Sequence, residues 1–281
     1  MTLLQAIVLG IVQGLTEFLP ISSTAHLRIV PALFGWHFYH GTTNDPGAAF
    51  SAIIQLGTTA AIVIYFWREL LHVTVAWFRG LTDKSVRDTL EYKLGWYLIL
   101  ATIPVGVLGL VFSHQITTGA RNLWVIATVM IALAVVLYSA ERVGTRSRDE
   151  EEINTTDAVV VGIGQALSLV PGASRSGSTI TAGLFRGLTR EAAARFSFLL
   201  SIPAVVLSGV FEAVHPDNHR NPGGGLTGVA LVFAFIVGLA SIAWLMRWLS
   251  NHSTSIFIYY RVAMGVLLIV LLSTGVLSAT K

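Results

Sequence analysis

The chain has 281 residues, of which 54% are apolar and only 12% are charged, with a formal net charge of +3. Soluble globular domains carry about 25% charged residues, so this composition excludes that class and indicates an integral membrane protein. The absence of cysteine excludes disulfides and thiolate metal sites. The basic residues lie in loops between apolar blocks, so we interpret them as topology signals and not as a nucleic-acid surface.

The first apolar region, residues 3–36, is interrupted by "TEFLPISSTAHLR". Each half has only about 8–12 residues, whereas a helix needs about 20 to cross a bilayer. Irregular backbone at membrane depth is tolerated only where protein or a wet cavity surrounds it. We therefore predict a re-entrant helix–loop–helix segment here. Residues 158–185, interrupted by "SLVPGASRSGST", are predicted to form a second one.

Other segments of the chain are apolar and long enough to cross a bilayer as helices. Strand-like alternation is rare in the sequence, so helices must satisfy the backbone. The predicted fold class is an all-α polytopic membrane protein, with about six transmembrane helices and two re-entrant segments. The predicted spans are residues 48–67, 94–112, 123–140, 196–211, 226–246 and 256–279.

Two sequence matches in the same order indicate an internal duplication. "QGLTEFLPISS" (13–23) aligns with "QALSLVPGAS" (165–174) when one gap is allowed. "AFSAIIQLGTTAAIV" (49–63) aligns with "RFSFLLSIPAVVLSG" (195–209) at nearly the same offset. Three predicted spans separate the two re-entrant segments, and this odd number predicts that the second repeat is inverted in the membrane. Inverted repeats with broken helices are typical of transporters.

The duplication and the loop charges define the predicted organisation. Within a single membrane domain, 1–281, repeat one covers residues 1–140, repeat two covers 156–281 and a linker covers 141–155. Most of the 18 lysines and arginines lie in loops on the side opposite residue 1. The positive-inside rule therefore makes the linker cytoplasmic and both termini external. We expect a multi-pass membrane protein.

Glu17 lies deep within the first apolar region. An ionisable group inside a membrane is costly and by default indicates a functional site. Gln13 precedes it by four residues and lies on the same helical face. Their oxygens suit a hard divalent cation, Mg²⁺ or Ca²⁺, completed by water and phosphate oxygens. The alternative is that Glu17 only neutralises Arg175 or caps the next helix.

Ser22, Ser23, Thr24 and His26 follow shortly after Pro20. A hydroxyl beside a histidine and a carboxylate is the material for nucleophilic or general acid–base catalysis. Small hydroxyl side chains also cap helices. We assign catalysis to Ser23 and His26, whereas substrate binding and helix capping are both open for Ser22 and Thr24.

Arg175 is the centre of "PGASRSGST" (171–179). A buried arginine needs an anion, and its planar fork matches phosphate. The following helix would present its N-terminus, which favours negative charge. We therefore predict a phosphate cradle, lined by Gly172, Ser174, Ser176 and Thr179. The alternative is a structural pair of Arg175 with Glu17 between the repeats.

Gln55 and Arg261 are two further polar groups within apolar runs. Polar side chains in such places often hydrogen-bond a neighbouring helix. Helix packing and a role at the site are therefore both open for this pair.

These stretches resemble the bacitracin-resistance family of undecaprenyl-diphosphate phosphatases. "QGLTEFLPISSTAH" is similar to the family's glutamate-rich first motif and "PGASRSGST" to its second, and "IIQLGTTAAIV", "RFSFLLSIPA" and "YYRVAMG" extend the similarity over nearly the whole chain. The resemblance implies a catalytic glutamate at Glu17, an essential serine at Ser23, a histidine at His26 and a phosphate-binding arginine at Arg175. Many members have glutamate in place of Gln13 and glycine in place of Ala25.

The resemblance implies metal-dependent hydrolysis of undecaprenyl diphosphate to undecaprenyl phosphate and inorganic phosphate, which recycles the lipid carrier of cell-wall synthesis. The resemblance also implies a multi-pass protein of the bacterial cytoplasmic (inner) membrane. Its site and, with the loop charges, both of its termini would then face the periplasm. The implied partners are a polyprenyl diphosphate and membrane lipid, with no nucleic acid, and we allow for a homodimer. The alternative is a lipid-carrier transporter or flippase that uses the same inverted-repeat site. A phosphatase of the lipid-phosphate type with a histidine nucleophile fits less well, because no upstream Lys/Arg motif accompanies "SSTAH" and "SRS".

Overall fold

The computed structural model describes residues 1–38, 43–112, 122–214 and 225–279. Within these ranges the chain forms eleven α-helices and no strand longer than an isolated bridge. In chain order the helices are α1 (Leu3–Phe18), α2 (Ser23–Leu33), α3 (Ala48–Tyr65), α4 (Trp67–Thr82), α5 (Leu90–Val111), α6 (Leu123–Val143), α7 (Thr155–Ala166), α8 (Arg175–Phe185), α9 (Arg190–Val214), α10 (Gly225–Asn251) and α11 (Ser255–Ser273). The all-α polytopic fold class is confirmed.

Each of the six predicted spans contains a helix, although the span predicted at 256–279 is helical only as far as Ser273. Four of the helices, α5, α6, α10 and α11, are long and apolar enough to cross a membrane. The pair α3 and α4 passes the same test only together, and the chain bends by 79° between them. The predicted span 48–67 therefore ends at Tyr65, and α4 is an additional helix that the sequence analysis treated as a loop. The span predicted at 196–211 is part of the longer α9, which begins at Arg190.

Both interrupted regions are pairs of short helices joined by a break. The first break, residues 19–22, lies between α1 and α2 and contains Pro20. The second, residues 167–174, lies between α7 and α8 and contains a single 3-10 turn and Pro171. Proline has no N–H to donate and disfavours helical backbone in the preceding residue. The prolines therefore explain why neither helix continues.

The two breaks end in the same helix cap. Ser22 (φ 76°) and Ser174 (φ 68°) both have left-handed backbone, which non-glycine residues rarely adopt. The Oγ of Ser22 accepts from the backbone N–H of Ala25 (3.4 Å), and the Oγ of Ser174 accepts from that of Gly177 (3.1 Å). Ser22 is therefore the structural counterpart of Ser174. The gapped sequence alignment, which placed Ser23 opposite Ser174, was wrong by one residue.

The helices pack in an exchanged pattern. Helix α1 packs against α10, and α7 packs against α5, while α6 packs against α11 and α3 against α9. Each predicted repeat thus inserts its first broken helix into the other repeat. Small residues allow this close approach, because a Cβ added at Gly162 would lie 2.6 Å from the carbonyl oxygen of Ala101. The repeat boundaries stay a prediction that this packing supports.

Two buried carboxylates hold one end of the bundle together. Asp157 on α7 accepts from Arg148 and Arg186 (2.6 and 2.8 Å), and its hydrogen bonds raise the pKa of the Arg148 guanidinium. Glu141 at the end of α6 pairs with Arg190 and accepts from Thr254 (2.8 Å). Burial of a carboxylate is tolerable only with such partners. Glu17 is therefore one of several buried acids, and it differs from these two in its surroundings.

Candidate active site

The two breaks meet around the carboxylate of Glu17. Glu17 lies in the last turn of α1, Ser23 is the first residue of α2, and Arg175 is the first residue of α8. The N-terminal ends of two helices are thus adjacent to one carboxylate. Helix N-termini carry partial positive charge and unpaired N–H groups. The region is therefore suited to an anion.

Four donors surround the Glu17 carboxylate. Its Oε2 accepts from Gln13 Nε2 (2.9 Å) and from Ser23 Oγ (2.6 Å). Its Oε1 accepts from Gln55 Nε2 (2.8 Å) and forms an ion pair with Arg175. These donors stabilise the charged carboxylate inside an apolar bundle. The Ser23 hydroxyl is thereby held with its proton directed at a carboxylate oxygen.

Arg175 connects Glu17 with the second repeat. One guanidinium nitrogen donates to Glu17, and the other donates to the backbone carbonyl of Ser201 (3.3 Å). Its side chain is 15% exposed, whereas that of Glu17 is 4% exposed. Arg175 is therefore the more accessible partner. Its remaining N–H groups are available to a ligand, since arginine carries five donors.

Arg261 on α11 joins the two breaks from behind. It is fully buried and donates to the carbonyl of Pro20 in the first break (3.2 Å). It also donates to the carbonyls of Gly172 and Ala173 in the second (3.0 and 3.1 Å). A Cβ added at Gly177 would lie 2.8 Å from its Nη1. Of the two roles left open for Arg261, its contacts favour a place in the framework of the site.

Both ring nitrogens of His26 have partners other than the Glu17 carboxylate. Its Nδ1 lies 2.7 Å from the carbonyl oxygen of Ser22, and its Nε2 lies 2.6 Å from the hydroxyl of Tyr260, against which the ring stacks. A carbonyl only accepts, so Nδ1 carries the proton and Nε2 accepts from Tyr260. Ser23 donates to Glu17 and not to His26. Glu17 is thus the better placed base, and the catalytic role of His26 stays a prediction.

The other predicted ligand-binding residues divide into two groups. Ser22 and Ser174 are helix caps. Thr179 is buried and donates to the carbonyl of Arg175 (2.7 Å), with its hydroxyl 2.5 Å from that of Ser197. These three side chains therefore have structural partners. Thr24 is exposed next to Ser23, and its substrate contact stays a prediction.

Two more predicted cradle residues belong to the second break. Gly172 has φ +95°, a backbone conformation that L side chains rarely adopt, and its carbonyl is bound by Arg261. Ser176 donates to the carbonyl of Leu19 (3.1 Å), which ties this break to the first. Gly172 shapes the predicted cradle through its backbone, and Ser176 does so through its contact with the first break. Their binding of a ligand is not tested by these contacts.

The contacts that Gln55, Tyr260 and Arg261 make at the site could not be predicted from the sequence. Each is separated from its partner by many residues, and Arg261 is 241 residues from Pro20. The available signal was the isolation of a polar group within an apolar span, which marks a functional-site candidate. That signal indicates importance but does not identify the partner.

Few protein side chains at the site could coordinate a metal ion. Within the described residues no group of three or more His, Asp or Glu side chains could hold a metal ion. Gln13 Oε1 is buried, however, and has no hydrogen-bond partner in that part of the chain. Together with Glu17 it provides two oxygen ligands. This number is typical of Mg²⁺ sites, where water and substrate phosphate complete the coordination.

Comparisons with known proteins agree with these motifs. The family model described as "Bacitracin resistance protein BacA" matches residues 6–267. The chain is 51% identical to an undecaprenyl-diphosphatase of Myxococcus xanthus (strain DK1622), over 99% of this chain and 92% of the relative. It is 49% identical to one of Mycobacterium sp. (strain KMS), over 99% and 100% of the two chains. It is 45% identical to one of Nocardia farcinica (strain IFM 10152), over 100% and 99%.

Proposed function

Because this chain belongs to the family of the bacitracin resistance protein BacA, we propose that it hydrolyses undecaprenyl diphosphate to undecaprenyl phosphate and inorganic phosphate. The observation that carries this proposal is the contact of Glu17 with both Ser23 and Arg175 (2.6 Å to Ser23 Oγ). A base, a hydroxyl and an anion-binding guanidinium thus meet inside an apolar bundle. A membrane-embedded phosphatase for a lipid diphosphate needs these three groups together.

The chemistry follows from the direction of the Ser23 hydroxyl. Glu17 accepts the Ser23 proton while Oγ forms a bond to the terminal phosphorus and the bridging P–O bond breaks. Undecaprenyl phosphate leaves with the electron pair of that bond. Water then attacks the phosphorus of the phosphoserine, and the protonated Glu17 returns its proton to Oγ as the P–Oγ bond breaks. Inorganic phosphate leaves with the oxygen and both protons of that water, and Glu17 is again a carboxylate. Attack by a water molecule positioned by Ser23 and Glu17 is the alternative for the first step.

The phosphate charge is held by groups that do not react. Arg175 provides free N–H donors in a planar fork that matches phosphate oxygens. The N-termini of α2 and α8 add backbone N–H groups and positive partial charge. Positioning and charge neutralisation account for most of the catalysis in phosphoryl transfer. The family motif around Arg175 thus has a defined task in this proposal.

We propose that Glu17 and Gln13 hold a divalent cation, Mg²⁺ or Ca²⁺. Support comes from the buried, unpartnered Gln13 Oε1, which is a free acceptor beside the carboxylate. When bound, such an ion neutralises phosphate charge and orients the diphosphate. Gln13 is uncharged, so this chain is expected to hold the cation more weakly than a glutamate would.

We also propose that the protein lies in the bacterial inner membrane with both termini and the site on the periplasmic side. Support comes from the concentration of arginines near the linker 141–155, which the positive-inside rule assigns to the cytoplasm. The diphosphate would then be taken from the outer leaflet of that membrane. A homodimer stays a prediction, which the mass of the detergent-purified particle would test.

The decisive experiment is phosphate release from a C55 or farnesyl diphosphate by detergent-purified protein with Mg²⁺ or Ca²⁺. Ser23→Ala should lower kcat by about a thousandfold or more if Ser23 is the nucleophile. Ser139→Ala is the matched control, since its exposed hydroxyl donates within its own helix and to no other described residue. Substantial residual turnover in Ser23→Ala would favour direct attack by water. Near-normal turnover in Glu17→Ala or Arg175→Ala would refute the assigned site.

The transport alternative makes a different demand on the same residues. A lipid-carrier transporter needs binding and alternating access but neither a base nor a nucleophile. The exchanged packing of α1 with α10 and of α7 with α5 is the observation that favours it. Absence of phosphate release from the wild-type protein, together with movement of a labelled lipid between leaflets, would support transport in place of hydrolysis.

A further inference from the structure

Helix α4 differs from the rest of the bundle in its direction and surface. It bends by 79° away from α3. Three of its apolar side chains, Trp67, Leu71 and Phe78, are 54%, 51% and 62% exposed and recur at helical spacing. Arg68, Glu69 and His72 lie between them on other faces of the helix. A helix of this kind lies in the plane of the membrane interface, with its apolar stripe toward the acyl chains.

A groove of about 580 Å³ lies at the bend between α3 and α4. The end of α3 and the start of α4 form one wall, and the start of α9 and the end of α10 form the other. Tyr65, Phe66 and Trp67 provide aromatic surface. Tyr and Trp are the residues enriched at the level of lipid headgroups. None of the residues around Glu17 lines this groove, so it is separate from the site described above.

The groove contains two arginines without a carboxylate partner. Arg195 pairs with Glu69 (2.8 Å) and Glu150 (3.0 Å), so its charge is balanced. Within the described residues Arg68 and Arg247 form no ion pair, and the guanidinium of Arg68 lies 5.4 Å from the centre of the Trp67 ring. Both side chains are exposed.

The positive charge of the groove is confined to Arg68 and Arg247. With Glu150, which pairs with Arg195, three glutamates face the three arginines, so the groove as a whole carries no net charge. These carboxylates are paired with Arg195 or, as for Glu191, form no ion pair with Arg68 or Arg247 among the described residues. The open guanidiniums of Arg68 and Arg247 provide the fork geometry that binds phosphate oxygens in pairs.

We propose that this groove binds the phosphate of an anionic phospholipid, held by Arg68 and Arg247. A lipid is the occupant because the groove opens beside the exposed apolar stripe of α4, which would lie among the acyl chains. The lipid is expected to be anionic, since arginines near a membrane surface attract anionic headgroups. The bound lipid would fix α4 against α9 and α10 at the end of the bundle where Asp157 and Glu141 hold their arginines.

The test is a titration of the detergent-purified full chain with phosphatidylglycerol, followed by native mass spectrometry. Phosphatidylcholine with the same acyl chains is the neutral counterpart, and we expect it to bind at least tenfold more weakly. The double variant Arg68→Gln, Arg247→Gln should lose roughly thirtyfold in affinity for phosphatidylglycerol, and each single variant about fivefold. Circular dichroism and retained phosphate release show that the variants are folded.

Arg142→Gln is the matched control. Its guanidinium also lies over an aromatic ring, that of Tyr138 (5.7 Å), and forms no ion pair among the described residues, but it does not line the groove. We expect its affinity for phosphatidylglycerol to stay within about twofold of wild type. Unchanged binding in the double variant, equal loss in Arg142→Gln, or equal binding of both lipids would overturn the proposal. Saturation of the site by glycerol 3-phosphate at the same concentration as the lipid would overturn the choice of a lipid.

Discussion

At the scale of single residues, the surroundings of Glu17 distinguish it from the other buried acids. Asp157 and Glu141 contact two arginines each, so cations compensate their charge. Glu17 contacts one arginine, two amides and one hydroxyl. Neutral donors stabilise the carboxylate without neutralising it. A carboxylate of that kind can still accept a proton from Ser23.

Gln55 should contribute to catalysis through Glu17. The Gln55→Leu variant removes the 2.8 Å hydrogen bond to Glu17 Oε1. A hydrogen bond to a charged group contributes about 1.5–3 kcal/mol, so kcat/KM for phosphate release should fall about ten- to a hundredfold. Gln165→Leu is the control, since that side chain is fully buried and neither of its amide atoms has a partner among the described residues. Equal losses in both variants would contradict a specific role for Gln55.

Arg261 should determine the geometry of both breaks. Lysine retains the charge but cannot reach three carbonyls with one ammonium group. Arg261→Lys should therefore lower the thermal unfolding midpoint in detergent and reduce kcat more than it changes KM. Each buried carbonyl that loses its donor should lower the free energy of unfolding by about 1–3 kcal/mol. Arg142→Lys, at an exposed position without ion pairs among the described residues, should leave both quantities unchanged. A selective rise in KM would indicate a direct substrate contact instead.

At the scale of elements, close helix contacts depend on glycine. A Cβ at Gly162 would lie 2.6 Å from the Ala101 carbonyl oxygen, so Gly162→Ala must separate α7 from α5. We expect a destabilisation of about 1–3 kcal/mol, as for overpacked cores, measured as a lower unfolding midpoint. Gly228→Ala makes the same change in α10, where no atom of another described residue lies within 4 Å of the added Cβ. Removal of that glycine should stabilise the helix by about 0.5–1 kcal/mol. An unchanged unfolding midpoint in Gly162→Ala would show that α7 and α5 pack less closely than the structure indicates.

The elements also show what the sequence could predict. Apolar blocks and prolines identified the six long helices and both broken ones, because these features act locally. Helix α4 was missed because its charged residues, such as Arg68 and Glu69, lower its hydropathy to that of a loop. The equivalence of Ser22 and Ser174 was missed because it depends on backbone torsion angles. The contact of Gln55 with Glu17 and those of Arg261 with the breaks depend on tertiary packing, which one sequence does not encode locally.

At the scale of the whole molecule, the orientation in the membrane can be tested by labelling. The chain has no cysteine, so single cysteines can be introduced without background. Helices α6 and α11 pack antiparallel, with Leu123 near Ala279 and Glu141 near Thr254. Thr274 and Ser147 therefore lie at opposite ends of the bundle. In intact bacterial cells, Thr274→Cys should react with a membrane-impermeant maleimide.

Ser147→Cys should react only after the membrane is made permeable. Both residues are exposed in the structure, so a difference in reactivity reports the side of the membrane and not burial. The reverse pattern would place the termini in the cytoplasm and the linker outside. Labelling of both in intact cells would contradict the assignment of the two ends to different sides.

The buried guanidinium of Arg261 has a consequence for the end of each catalytic cycle. Arg261 donates to backbone carbonyls, so the centre formed with Arg175 and Glu17 holds two positive charges against one negative charge. Such a centre retains any phosphate, including the one it has just produced. Departure of the product is therefore expected to limit turnover. Millimolar inorganic phosphate should inhibit competitively, whereas chloride at equal ionic strength should not.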